Sequence, residues 1–217
     1  MIPTRNEADR IEHCIEGARA AGVEIIVADG GSCDATRERA HAAGARVVTG
    51  PPGRARQLEA GARAAEADAI LFLHADTCLP PGWADAVRGA LLDPAVVGGA
   101  FAFRFAEPGL ALRVVEWGVR VRLALAGLPF GDQALFARRS ALEAIGGVPQ
   151  AEIMEDVDMV RALAKRGRLA LLPLPVVTSA RRYLARGVFR TVAKNTLALA
   201  ALWLGLDRAR VAAWYRR

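Results

Sequence analysis

Three short segments of this chain place acidic residues where they could do chemistry. In Asp29-Gly30-Gly31-Ser32-Cys33-Asp34 the glycines let backbone approach a ligand closely, and the first acid can accept hydrogen bonds from a base or a ribose. The amides that open the next helix suit phosphate. His74-Ala75-Asp76-Thr77 closes the apolar run Ala69 to His74, where a carboxylate could ligate Mg²⁺ or Mn²⁺ together with diphosphate oxygens. Such an ion neutralises the charge on a departing nucleoside diphosphate. Glu152, Glu155, Asp156 and Asp158 place four acids within seven residues. A helix dipole favours acids in its first turn, but adjacent carboxylates repel, which raises at least one pKa toward the range of a general base. Asp156, with Glu155 beside it, is therefore the expected catalytic residue.

Plainer readings stand beside these. Asp34 can be an N-cap, Asp76 a cap for the Pro80-Pro81-Gly82-Trp83 turn, and His74 a strand-end histidine with no ligand. Asp132 and Gln133 lie between Gly131 and an apolar run, where they suit sugar hydroxyls or an acceptor. Arg54 and Arg56 stand at a helix start after the Gly50-Pro51-Pro52-Gly53 turn, near enough to a diphosphate to help, or as surface arginines.

These residues need elements to position them. Short β-rich runs alternate with helical patterns, the signature of an α/β fold with a mostly parallel sheet and flanking helices. Strands are expected at Val23 to Ala28, Ala45 to Thr49, Ala69 to His74, Val97 to Phe105 and Ala134 to Ala137. Ligands collect beyond the carboxyl ends of strands in such a sheet, where Thr4 to Glu7, Asp29 to Asp34 and His74 to Thr77 all fall. Ile11, Cys14, Ile15 and Ala18 recur at helical spacing, as do Met154, Val157, Val160 and Leu163, and Gly44 and Gly167 sit where helix C-caps are expected. Almost no strand residues precede Ile2-Pro3-Thr4, so the chain begins abruptly or its start lies downstream of the true one.

With 217 residues, 53% of them hydrophobic, the chain can bury a sizeable core. Residues 1–180 read as one domain and 181–217 as a basic helical extension. Three cysteines without paired spacing, Cys14, Cys33 and Cys78, argue against disulfides or a thiolate zinc site and for a reducing, cytoplasmic setting. The longest uncharged apolar stretch, Thr196 to Leu206, is about half the roughly twenty residues that span a bilayer. The net charge of +6 is weighted toward Arg181, Arg182, Arg186, Arg190, Lys194, Arg208, Arg210, Arg216 and Arg217. That field favours anionic partners, or it is a solvated arginine-rich surface. The apolar run around Leu202-Trp203-Leu204 leaves packing on the domain, a homodimer seam and peripheral membrane contact all open.

In order and spacing these motifs resemble family 2 glycosyltransferases, which share the GT-A fold. Ile2 to Glu7 is similar to the family's opening loop, Asp29 to Ser32 with Asp34 to its nucleoside-binding turn, Asp76 to the last acid of its D-x-D metal motif, and Glu155-Asp156 to its E-D pair. The first acid of D-x-D is replaced by His74. The resemblance implies a UDP-sugar donor, UDP-GlcNAc or UDP-glucose, held by Pro3, Arg5, Glu7, Asp29, Gly30, Gly31, Arg54 and Ala75. It further implies Mg²⁺ or Mn²⁺ on Asp76, and inversion with Asp156 as base. Leu73 to Asp76, Phe130-Gly131-Asp132-Gln133, Gly146 to Pro149 and Met154-Glu155-Asp156 are similar to a narrower bacterial subgroup of arsenosugar-type or selenium-associated transferases, which includes selenosugar synthases. A small anionic acceptor such as selenophosphate, on the way to selenoneine, would then meet Asp132, Gln133, Arg181, Arg182 and Lys194. The alternatives are a lipid or other small acceptor, or a nucleotidyltransferase, although the opening loop lacks the glycines of a phosphate loop. Nucleic acid is not an expected partner; a binder of that kind would lose affinity steeply with salt and ignore UDP.

Overall fold

The structure, a computed structural model, describes residues 1–216; Arg217 lies outside the described residues. Three strands, β1 (Ile2–Thr4), β2 (Ile26–Asp29) and β3 (Arg46–Thr49), pair in parallel in that order. A five-stranded mixed sheet follows in the order β4 (Ala69–Leu71), β7 (Phe136–Arg138), β6 (Val96–Phe105), β8 (Arg168–Thr178), β5 (Thr77–Cys78). Met1 joins the two sheets: its amine donates to Leu71 O at 2.6 Å and its carbonyl accepts from Leu73 N at 3.0 Å. Parallel pairing continues in the second sheet only between β6 and β8; the other three pairs there are antiparallel.

Helices α1 (Ala8–Gly17), α2 (Thr36–Ala42), α3 (Arg54–Ala64) and α4 (Trp83–Ala90) cross between the early strands. Helices α5 (Leu110–Ala126), α6 (Arg139–Ala144) and α7 (Glu155–Ala164) serve the later ones, and α8 (Arg181–Arg186), α9 (Val188–Trp203) and α10 (Arg208–Arg216) end the chain. The Ile11, Cys14, Ile15 stripe of α1 packs with Ile2, Val27 and Leu73 on the first sheet's side. The Val157, Val160, Leu163 stripe of α7 packs with Ile70, Ala100 and Leu142. Each such side chain removed from water contributes roughly 1.5–3 kcal/mol, which fixes the helices over the strand ends.

Gly44 does close α2: at φ +79° it donates to His41 O while Ala45 N reaches Ala40 O, a Schellman ending. Gly167 is not a left-handed cap. A Cβ there would sit 2.5 Å from Val97 Cγ1 and 2.8 Å from Ala95 O, so it is glycine because the start of β6 passes close.

No strand is expected from the sequence over Arg168 to Thr178, where Pro173 and Pro175 interrupt a leucine run, yet β8 is the longest strand. The β6–β8 register jumps from Phe101 opposite Leu172 to Ala102 opposite Pro175, so a bulge absorbs the prolines. At the middle of the sheet β6 carries Gly98 and Gly99. A Cβ on Gly99 would run into the Ala170 carbonyl and lie 2.6 Å from the Phe136 ring. Gly99→Ala is expected to cost about 3 kcal/mol by overpacking, measured as a lowered urea midpoint; an unchanged midpoint contradicts this packing.

Candidate active site

Two loops at the carboxyl ends of β1 and β2 are zipped into one unit. Asn6, in the left-handed region at φ 57°, accepts from Cys33 N through Oδ1 at 2.9 Å, and its own N donates to Ser32 Oγ at 2.9 Å. Glu7 N reaches Thr36 Oγ1 at 2.9 Å. Asp34 Oδ2 takes Ala8 N at 3.2 Å and Oδ1 takes Thr36 N at 3.1 Å, so this acid ties the starts of α1 and α2 together, one residue before Ala35, the N-cap of α2. Its carboxyl is held below the usual range chiefly by the Thr36 hydroxyl.

Asp29 is 1% exposed, and it spends both oxygens inside its own turn, on Gly31 N, Ser32 N and the Ser32 hydroxyl. It shapes its own turn rather than presenting a free carboxylate, unlike the direct contact expected of it. Gln57, which sequence reasoning missed, donates to Thr4 O at 2.6 Å and Ala28 O at 3.1 Å and fills the space above Gly30; a Cβ on Gly30 would meet it at 2.7 Å. Arg5 and Gly31 are exposed on this rim, and Pro3 is part-buried in β1. The Glu7 carboxylate pairs with Arg10 at 3.1 Å.

Tied to these loops through α3, whose Gln57 holds Thr4 O and Ala28 O, a cleft of about 250 Å³ brings together Arg54, His74, Asp76, Asp132, Glu155 and Asp156 from four stretches of sequence. Arg54, at the start of α3, is its hub. Its Nε lies 2.6 Å from Glu155 Oε1, and it donates from NH2 to His74 Nε2 at 2.5 Å. Burial, then the charges of Arg54 and Arg182, hold His74 well below its usual pKa, so the ring is a neutral acceptor. Ala75 is buried in the core, which leaves only its backbone to serve a ligand.

Glu155 is 4% exposed, and burial raises its pKa against the pull of Arg54, with Asp156 adding to the rise. Desolvation therefore outweighs the mutual repulsion that the acid run suggests. Asp156 Oδ2 accepts from Gly131 N at 2.6 Å and Oδ1 from Val157 N at 3.0 Å. That first bond pins the 3₁₀ turn Gly131–Gln133 over α7. Asp132, in the same turn, has a buried Oδ1 without a hydrogen-bond partner, and burial pushes its pKa up to about 6.

Gln133 is 0% exposed and fully used: Oε1 accepts from Arg122 and Phe130 N, and Nε2 donates to Phe101 O at 2.9 Å. It cannot contact an acceptor, which corrects that expectation; it anchors the turn.

The far wall comes from the end of the chain. The Thr77 and Thr178 hydroxyls bond at 2.6 Å and Ser179 N donates to Asp76 O at 3.1 Å, which brings Arg182 and Tyr183 to the cleft. Thr191, Asn195 and Tyr215 complete the wall, with Tyr215 OH donating to Asn195 Oδ1 at 2.6 Å. Sequence reasoning missed these four, although the chain's two tyrosines both line the cleft and Asn195 interrupts an apolar helix. Arg181 is exposed and outside the lining, and Lys194 sits behind the wall, 5.4 Å from the Tyr215 ring centroid. Of the basic residues expected at the acceptor, Arg182 alone lines the cleft.

Among the described residues no group of three or more His, Cys, Asp and Glu could hold a metal ion. Asp76 offers one carboxylate, and His74 is committed to Arg54. This donor set fits a divalent ion completed by substrate phosphate oxygens and water, the usual habit of Mg²⁺.

Residues 1–145 match the profile described as Glycosyl transferase family 2. No curated protein matches the chain. Among solved structures, glucosyl-3-phosphoglycerate synthase from Mycobacterium tuberculosis, in complex with Mn²⁺, uridine diphosphate and glucosyl-3-phosphoglycerate, is similar at 23% identity and a TM-score of 0.68, over 95% of this chain and 79% of that one. The same enzyme in complex with Mn²⁺, UDP-glucose and phosphoglyceric acid is also similar, at 23% identity over the same shares and a TM-score of 0.68. A mycobacterial protein is 25% identical, with a TM-score of 0.68, over 96% of this chain and 74% of that one. These likenesses establish the GT-A fold.

Proposed function

Because the chain belongs to glycosyl transferase family 2, we propose that it moves a sugar from a UDP-sugar to a small phosphorylated or otherwise anionic acceptor, with inversion at the anomeric carbon. The observation that carries this reading is the cleft itself: Asp76, Arg54, Asp132, Asp156 and Arg182 converge in it, and α3, which supplies Arg54, also holds the ends of β1 and β2 through Gln57. The solved relative's UDP and Mn²⁺ support the same assignment of the donor end.

In this reading the rim of Arg5 and Gly31 receives the nucleoside, and Arg54 faces the diphosphate. Asp76 would hold the divalent ion, which when bound offsets charge on the departing diphosphate. Glu155 keeps Arg54 in place, and Asp156 fixes the turn on the acceptor side. Residues 1–180 thus carry the donor chemistry. The C-terminal extension, described as far as Arg216, supplies the acceptor wall, where Arg182 meets an anionic group. Selenophosphate, the acceptor implied by the selenium-associated subgroup, is one such anion. No helix among the described residues is long and apolar enough to cross a membrane. Three free cysteines support a reducing, cytoplasmic setting.

The test is calorimetric binding of UDP with and without Mn²⁺ or Mg²⁺. Mass spectrometry of products then follows, from UDP-glucose or UDP-GlcNAc with selenophosphate or 3-phosphoglycerate as acceptor. UDP binding with a sugar-bearing product supports the proposal, and a selenium-bearing sugar supports its narrower form. Absence of UDP binding overturns it.

A further inference from the structure

Resting on the transfer proposed above, with Asp156 as the base that the resemblance implies, we propose that α10 is a clamp on the segment that presents this base, and that Arg208 is its positioning residue. Arg208 holds the chain on both sides of Met154-Glu155-Asp156. The Asp156 carboxylate then stands at a fixed depth in the cleft and in fixed register with the acceptor wall.

One guanidinium reaches two points of that segment. Arg208 Nη1 donates to Ile153 O at 2.7 Å, and Nη2 lies 2.8 Å from Asp158 Oδ2. Between the two contacts Met154 stands in the left-handed region at φ 55°, a backbone that is uncommon outside glycine and persists only where its surroundings hold it. At the other end of the helix Arg216 donates to Glu152 O at 3.1 Å. Val211 and Ala212 are buried with Ile153 in one apolar cluster. Arg208, Val211, Ala212 and Tyr215 recur at i, i+3, i+4 and i+7, so one face of α10 carries the guanidinium, the apolar contact and the tyrosine. Asp207 fixes where that helix begins, its Oδ1 accepting from Arg210 N at 2.9 Å.

Beyond its bonds to Gly131 N and Val157 N, each oxygen of Asp156 keeps a lone pair for a ligand. For a hydroxyl acceptor, the acceptor oxygen bonds to the anomeric carbon as the bond from that carbon to the diphosphate oxygen breaks. The acceptor's proton passes to Asp156, which later releases it to water. Transfer of that proton needs the base within hydrogen-bond reach of the acceptor, and Tyr215, on the same helix face as Arg208, lines the cleft where the acceptor would sit. One short helix thereby registers base and wall to each other. The Arg208 and Asp158 side chains are each about a third exposed, so their attraction adds little stability, and the effect to expect is on geometry.

The experiment compares full-chain wild type with Arg208→Ala, Arg208→Lys and Asp156→Asn. Transfer from UDP-glucose with Mn²⁺ is followed with 3-phosphoglycerate and with water as acceptors, and amide hydrogen exchange is followed by mass spectrometry on the same preparations. Arg208→Ala should lower kcat by about 10–10²-fold and leave KM for UDP-glucose within about threefold, with the thermal midpoint down by only about 2–6 °C. Millimolar guanidinium should restore part of that kcat, and Arg208→Lys should retain part of it, because either returns a cation between Ile153 O and Asp158. Exchange should quicken in the peptides carrying Val157 and Gly131, whose amides touch Asp156 and not Arg208, while those of β1 to β3 exchange as in wild type. Adding Asp158→Asn to Arg208→Ala should cost nothing further, since that partner is already lost. A kcat within about threefold of wild type, or unchanged exchange at Gly131, overturns the proposal. So does a fall in kcat matched by losses of UDP affinity and of protection throughout the chain, which marks a merely structural residue. Full activity in Asp156→Asn would instead remove the base reading, and loss of UDP binding by wild type the donor reading. Exchange at Gly131 reports the clamp without turnover, so neither is mistaken for its failure.

Discussion

Replacing Asp76 by asparagine is expected to slow sugar transfer by roughly 10²-fold, because the charge stabilisation a divalent ion gives a leaving diphosphate is worth several kcal/mol. Asp76 is the carboxylate of the cleft best placed for such an ion: His74 two residues earlier is neutral and occupied by Arg54, and Glu155 is occupied by the same guanidinium. Substitution at Asp76 should therefore also flatten the dependence of UDP affinity on Mn²⁺. The measurement is UDP binding and release across a Mn²⁺ titration, with Mg²⁺ in parallel. A variant whose rate and metal dependence match wild type would place the ion elsewhere or remove it from the reaction.

Gly131→Ala should be nearly as damaging by a different route. A Cβ there would run into the Arg54 guanidinium and stand 2.9 Å from Asp156 Oδ2. Arg54 is the end of a flexible side chain and can move. Moving it breaks its alignment with both Glu155 and His74, and it crowds the amide that Asp156 holds. A misplacement of about 1 Å in such a constellation costs on the order of 10²-fold in rate, whereas the fold should lose only about 1–2 kcal/mol. Activity and urea denaturation measured on one preparation separate the two. Activity within twofold of wild type would mean the turn does not need its close approach to Arg54.

The sequence made the parallel start of the sheet, most of the strand ends and the acids at them legible, because period-two apolar runs and strand-terminal carboxylates are local signals. It did not show how each acid is spent. Asp29 and Asp156 have similar local settings to Asp132, but the first closes on its own turn and the second on the amide of Gly131, 25 residues away. Only three-dimensional accounting leaves Asp132 with a buried oxygen that has no partner. Gln133 was misjudged for the same reason, since its neighbours Arg122 and Phe101 come from other elements. Strand β8 hid behind two prolines that a bulge accommodates. The wall of Tyr183, Asn195 and Tyr215 left only a faint local signal, the asparagine within an apolar helix, because a helix face aimed at a cleft reads much like one aimed at a core.

The hydroxyl bond between Thr77 and Thr178 spans 101 residues of sequence, and Ser179 N on Asp76 O lies at the same junction. Contacts so distant along the chain carry a large loop-closure entropy and form slowly. The unit of β1, β2 and β3 depends mainly on near neighbours in sequence and can assemble during synthesis while the rest is still emerging. The far wall of the cleft must wait for α8, α9 and α10. Refolding should accordingly show two kinetic stages, with the capacity to bind nucleotide returning before the capacity to transfer.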